Sequence, residues 1–145
     1  MDIYTGQNSG SLTQDTASYV TDLGRDTIAN DLFFITRWTS KNMQIPLMSV
    51  PVGSDIGIDM HQNSDKIFYI VRGNAFVVMG NCQECLTMQV QAYEGYAIIV
   101  PARTWHNVIN IGQIDLKMFS VFAPALYSSN AVYETKEKWF EHYEN

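Results

Sequence analysis

Residues 53–80 read GSDIGIDMHQNSDKIFYIVRGNAFVVMG, and residues 95–110 read GYAIIVPARTWHNVIN. The first stretch holds the runs IGIDM, KIFYIV and AFVVM and the second holds YAIIV and WHNVIN, each rich in β-branched and aromatic residues. Runs of that length, closed by glycine, asparagine or proline, are strands. RGNA at 72–75 and the Gly80-Asn81 pair are expected as hairpin turns, since both supply residues that tolerate positive φ. Working outward, LFFITRW, MQIPLMSV, LTMQV and LKMFSVF repeat the pattern and bring the candidate strands to nine. Many short strands at this spacing indicate an all-β sandwich or barrel. Pro46 and Pro51 predict that MQIPLMSV lies at an edge or carries a bulge, because proline cannot donate to a ladder.

The ends differ from this middle. Residues 1–27 are rich in Gly, Ser, Thr, Gln and Asn and hold too little apolar content for a core of their own. They are expected to form an arm, flexible or ordered against a partner subunit, ahead of a barrel over 28–130 and a helical tail over 131–145. In that tail Thr135 can cap KEKWFEHYE, a short helix expected to lean its aromatic residues on the barrel.

Length and charge narrow the functions. At 145 residues with 46% hydrophobic content, one domain with a real core is the default. A net charge of −6 with scattered basic residues disfavours nucleic acid and anionic membranes as partners. No apolar run suits a bilayer span and no leader pattern opens the chain, so a cytoplasmic protein is expected. Cys82 and Cys85 form a lone CxxC in GNCQECLTM, too few ligands for a zinc site within one chain. They are expected as two incidental thiols at a hairpin tip, with metal bridging between subunits or a reversible disulfide as alternatives.

Three histidines occur, and two sit in strand-like segments. His61 follows Asp59 by two residues, so on an extended strand both side chains leave one face. If the strand carrying His106 lines the same interior, two neutral imidazoles and a carboxylate can converge. That is a ligand set for iron(II), manganese or zinc with open positions, able to polarise a carbonyl or activate oxygen. Met43, Leu47, Met48, Ile58, Met60, Phe68, Ile70, Phe76, Val78, Phe119 and Val121 supply candidate inward positions on one register or the other.

At these residues the sequence resembles the cupins. Their first motif, G-x5-H-x-H-x4-E-x6-G, is similar to the run from Gly53 through Asp59, His61 and Lys66 to Gly73; their second, G-x5-P-x-G-x2-H-x3-N, is similar to that from Gly95 through Pro101, Arg103 and His106 to Asn110. The flanks resemble single-domain cupins described as mannose-6-phosphate isomerase-like, so that the likeness covers about residues 28–138. The resemblance implies a double-stranded β-helix, or jelly-roll barrel, with a short C-terminal helix. It also implies a divalent metal (Fe, Mn, Zn or Ni) held by Asp59, His61 and His106, and a small carbonyl or sugar-like substrate for an isomerase or dioxygenase. Cupins commonly pair through edge strands, and a homodimer is expected on that likeness.

Three positions depart from the motifs. Asp59 for histidine keeps a competent oxygen ligand. Lys66 for glutamate puts an ammonium where a ligand is needed, and neutralising it at pH 7 costs about 4 to 5 kcal/mol. Two readings follow. In one the metal is bound, with Lys66 and His106 as acid/base groups; in the other Lys66 pairs with Asp59 in the metal's place and the pocket takes a small ligand or partner. An ion pair gains roughly 4 kcal/mol at 4 Å while desolvation opposes by several per ion, so energetics leave both open. Lys66 could also serve as a proton shuttle or carbonyl-binding amine. Arg103 for glycine stands at a turn that calls for positive φ and is expected to face solvent, while Trp105 is expected in the core or at the rim.

Overall fold

A computed structural model describes residues 17–18 and 20–144. The expected arm of residues 1–27 falls mostly outside these residues, but its last part does not form a plain arm. Helix α1 (Leu23–Ala29) starts there, capped by the Asp22 carboxylate, which accepts from the Arg25 N–H at 3.0 Å. Composition hid this helix, because seven residues are too few to show a period.

Nine strands follow: β1 (Phe34–Thr39), β2 (Gln44–Val50), β3 (Asp65–Arg72), β4 (Ala75–Gly80), β5 (Met88–Ala92), β6 (Ala97–Val100), β7 (Trp105–Asn110), β8 (Leu116–Ala123) and β9 (Val132–Tyr133), before helix α2 (Lys136–Glu144). They form two antiparallel sheets, ordered β6-β3-β8-β2-β1-β9 and β5-β4-β7. The all-β jelly-roll expectation holds. Eight of the nine candidate runs are strands, while IGIDM makes only one isolated bridge, Asp59 to His106, with a second, Asp55 to Ile109, just ahead of it. β9 belongs to the residues expected as tail, yet it pairs with β1.

Pro46 lies inside the larger sheet rather than at its edge, opposite Thr36 where the β1–β2 register slips. The bulge absorbs the donor that proline lacks. RGNA is not a hairpin either: Gly73, at φ 110°, carries the chain from β3 in one sheet to β4 in the other. Gly80 does open a β4–β5 hairpin, but for another reason than φ. A Cβ there would stand 1.9 Å from the Cys85 carbonyl oxygen. The hairpin tip is closed by a Cys82–Cys85 disulfide, which replaces the two free thiols expected.

The core lies between the sheets. Along β3 the inward side chains are Lys66, Phe68 and Ile70; β4 contributes Ala75, Val77 and Met79, and β8 contributes Leu116, Met118, Ser120 and Phe122. Of the candidate interior set, Leu47, Met48, Phe68 and Ile70 are buried, whereas Phe76, Val78, Phe119 and Val121 are half-buried on the opposite register. Runs apolar on both faces do not reveal their phase, because a one-residue slip exchanges the faces without changing composition.

Candidate functional site

The site is assembled where the Asp59 bridge meets β7. The Asp59 and His106 backbones exchange two hydrogen bonds of 3.0 Å, and the Arg103 N–H donates to the His61 carbonyl at 2.7 Å. To make that last contact Arg103 adopts φ 64°, the positive value expected of the motif glycine, and it is exposed as expected. Trp105 is half-buried at the head of β7.

All four predicted chemistry-bearing residues meet at this end of the barrel. His61 Nε2 approaches Asp59 Oδ2 to 3.3 Å, without hydrogen-bond geometry. The His61 and His106 rings are 6.2 Å apart, centroid to centroid. His106 Nδ1 lies 2.9 Å from the Thr104 carbonyl oxygen. A carbonyl only accepts, so Nδ1 carries the proton and Nε2 holds a bare lone pair. That Nε2 is buried with no hydrogen-bond partner among the described residues. Burial pushes His106 down to about 3, with Lys66 lowering it further, the Thr104 carbonyl opposing and His61 adding a little. Burial and then Lys66 push His61 down to about 4, against the pull of Asp59. Both imidazoles are neutral at pH 7, so the His61–Asp59 contact is no ion pair.

Lys66 is the centre of this group. It is 7% exposed, and its Nζ lies over two rings, 5.0 Å from the Phe68 centroid and 5.3 Å from that of Phe122. Burial lowers its pKa to about 7, with Asp59 opposing. The Lys66–Asp59 ion pair of the second reading is not formed: among the described residues no carboxylate oxygen comes within 4.0 Å of Nζ. The Asp59 carboxylate instead faces His61 and accepts from the Met60 N–H at 2.8 Å.

Two spaces adjoin the group. The inner one, about 20 Å3, is bounded by Lys66, Asp59, Phe68, Phe122, Tyr127 and Trp139 among others, and is the size of one water. The outer cleft, about 280 Å3, runs along Ile58, Asp59, His61, Leu126, Tyr127, Trp139 and Phe140. Clefts of similar volume beside α1 and between β5 and β6 contain neither imidazole nor Lys66. Phe122, Tyr127 and Trp139 were not among the candidate site residues, since an aromatic residue in the sequence carries no mark that separates a pocket wall from core. As expected, α2 leans an aromatic residue on the barrel, but this is Trp139 alone of the described pair; Phe140 stays 50% exposed.

The geometry and the spacing agree with a known family, whose cupin-domain profile matches residues 46–122. The chain belongs to the cupins. Among curated proteins it is 42% identical over 118 residues to the uncharacterized protein YrkC of Bacillus subtilis, covering 81% of this chain and 63% of that one. This chain thus spans just under two thirds of that relative's length. A crystal structure of BH2720 from Bacillus halodurans shares 35% identity with a TM-score of 0.88, over 89% of this cupin and 98% of the other. A predicted oxalate decarboxylase from Thermotoga maritima, at 22% identity and TM-score 0.52, covers 59% of this chain and 69% of its own and shows the fold alone. Among the described residues no helix is long and apolar enough to cross a membrane.

A cupin metal does not fit the donors as they stand. Two neutral imidazoles and Asp59 are present, but no three His, Cys, Asp or Glu side chains among the described residues are grouped to hold an ion. At the fourth motif position stands the Lys66 amine, which donates and repels a cation while it is charged.

Proposed function

We propose that this cupin binds a small carbonyl compound through the Lys66 amine, with His61 and His106 as neutral proton acceptors beside it. The observation that carries this reading is a lysine buried against two phenylalanine rings with, among the described residues, no carboxylate in ion-pair reach. An amine kept from full protonation near neutral pH is a competent nucleophile. Its lone pair adds to the carbonyl carbon, both protons lost by nitrogen end on the carbonyl oxygen, that oxygen leaves as water, and a C=N bond remains. The bare Nε2 of His106 is suited to carry those protons.

The second reading is the metal-dependent enzyme, isomerase or dioxygenase, and the unpartnered Nε2 of His106 is the observation in its favour. Elemental analysis of protein purified without a histidine tag or chelator separates the two. The amine reading expects no stoichiometric transition metal in the wild type and a gain of metal in Lys66→Glu. Near-stoichiometric metal in the wild type that disappears in His106→Ala would replace it with the metal reading.

A further inference from the structure

The inner chamber and the outer cleft share three walls: Asp59, Tyr127 and Trp139. Trp139 differs from the other two in coming from a helix, α2. Like Tyr127 it lies beyond the residues 46–122 that match the cupin domain. The residue is 9% exposed, and its ring packs 5.9 Å from the Phe33 centroid and rests so near Gly57 that a Cβ there would lie 3.9 Å from Cζ3. α2 is joined to the barrel through side chains, Trp139 against Phe33 and Lys136 with Asp55. Its N-terminus is capped within the tail by the Thr135 hydroxyl, which accepts from the Lys138 N–H at 3.2 Å.

A chamber of about 20 Å3 admits one water and no carbonyl compound. The outer cleft of about 280 Å3 is at the low end for small-molecule pockets and is walled by Ile58, Leu126, Tyr127 and Phe140. We infer that Trp139 is the gate and specificity-determining residue of this site, and that the ligand it admits is a small aldehyde or ketone with a flat, apolar body. The body lies in the outer cleft against Tyr127 and Phe140, and the carbonyl reaches Nζ only when the indole swings out of the shared wall. This rests on the Lys66 amine reading above.

Reductive trapping tests it. The protein is treated with benzaldehyde or formaldehyde and cyanoborohydride, which delivers hydride to the C=N carbon and fixes the adduct as a secondary amine. Peptide mass mapping then gives the rate at Lys66 against exposed Lys41 in the same chain. Trp139→Ala is expected to raise benzylation of Lys66 roughly tenfold, since apparent reactivity scales with the open fraction, and to raise methylation less. Glu137→Ala, an exposed change on the same helix, should leave both rates unchanged. Should Trp139→Ala not fold by circular dichroism, Trp139→Phe replaces it, with a rise of roughly threefold. Equal benzylation of Lys66 in wild type and variant overturns the gate and leaves the amine reading standing. Labelling of Lys41 with none at Lys66 in either protein overturns both.

Discussion

Two buried lysines on neighbouring strands show how one residue type serves opposite ends. Lys117, on the outward register of β8, is tied to α1: its Nζ donates to the Asn30 carbonyl at 2.5 Å and meets Asp31 Oδ1 at 3.1 Å. Lys66, on the inward register of β3, has rings for neighbours and, among the described residues, no carboxylate oxygen within 4.0 Å of its amine. A buried charge that is paired and hydrogen-bonded fastens a structure, whereas one held only over aromatic faces leaves its desolvation largely uncompensated. Lys117 therefore belongs to the architecture, and Lys66 is a group kept at a cost to stability, as the proposed amine function requires.

The largest expected effect separates the two. Lys66→Met should stabilise the fold by about 1 to 4 kcal/mol at pH 6, while Lys117→Met should destabilise it by about 1.5 to 3 kcal/mol. Urea denaturation measures both. The Lys66 effect is also pH-dependent with a fixed sign. Its folded pKa, about 7, lies below its ordinary 10.5, so between these values the unfolded chain binds more protons and wild-type stability climbs with pH. The advantage of Lys66→Met should shrink accordingly towards pH 10; an advantage constant from pH 6 to 10 would mean that the Lys66 amine stays protonated in the fold throughout that range.

The imidazoles sharpen the contrast at the acid end. His61 and His106 have folded values near 4 and 3 against an ordinary 6.5, so they stay neutral in the fold and protonate in the unfolded chain as pH falls. Wild-type stability should drop from about pH 6.5 towards 3, and His106→Phe should flatten part of that slope. Parallel curves for wild type and variant in that window would contradict the burial described. The smallest expected change lies at the turn below His61. Arg103→Gly relieves a left-handed backbone at φ 64° and should add about 0.5 to 1 kcal/mol, read as a shift in the urea midpoint. A loss of stability there would mean the arginine side chain contributes more than its backbone costs.

The same contrast shows how far residues alone could be read. Motif spacing brought Asp59, His61, Lys66 and His106 to one place, because turn glycines and strand lengths set the register of a jelly roll, and it anticipated the positive φ of Arg103. It could not say which acid answers which lysine. Asp59 turned to His61 rather than to Lys66, and the tie of Lys117 to Asp31 runs between segments 86 residues apart. The phase of Phe76, Val78, Phe119 and Val121 was likewise hidden, since both faces of those strands are apolar. Trp139 entered the site only through the path of the tail after β9, which no local pattern encodes.

The most direct test of the central claim is an NMR titration of the Lys66 side chain, with its Cε and Nζ signals assigned by comparison with Lys66→Met. A midpoint near 7 is the result this structure predicts. A midpoint that stays near the ordinary 10.5 would mean that Lys66 keeps its charge in the fold, and the nucleophilic amine would have to be given up.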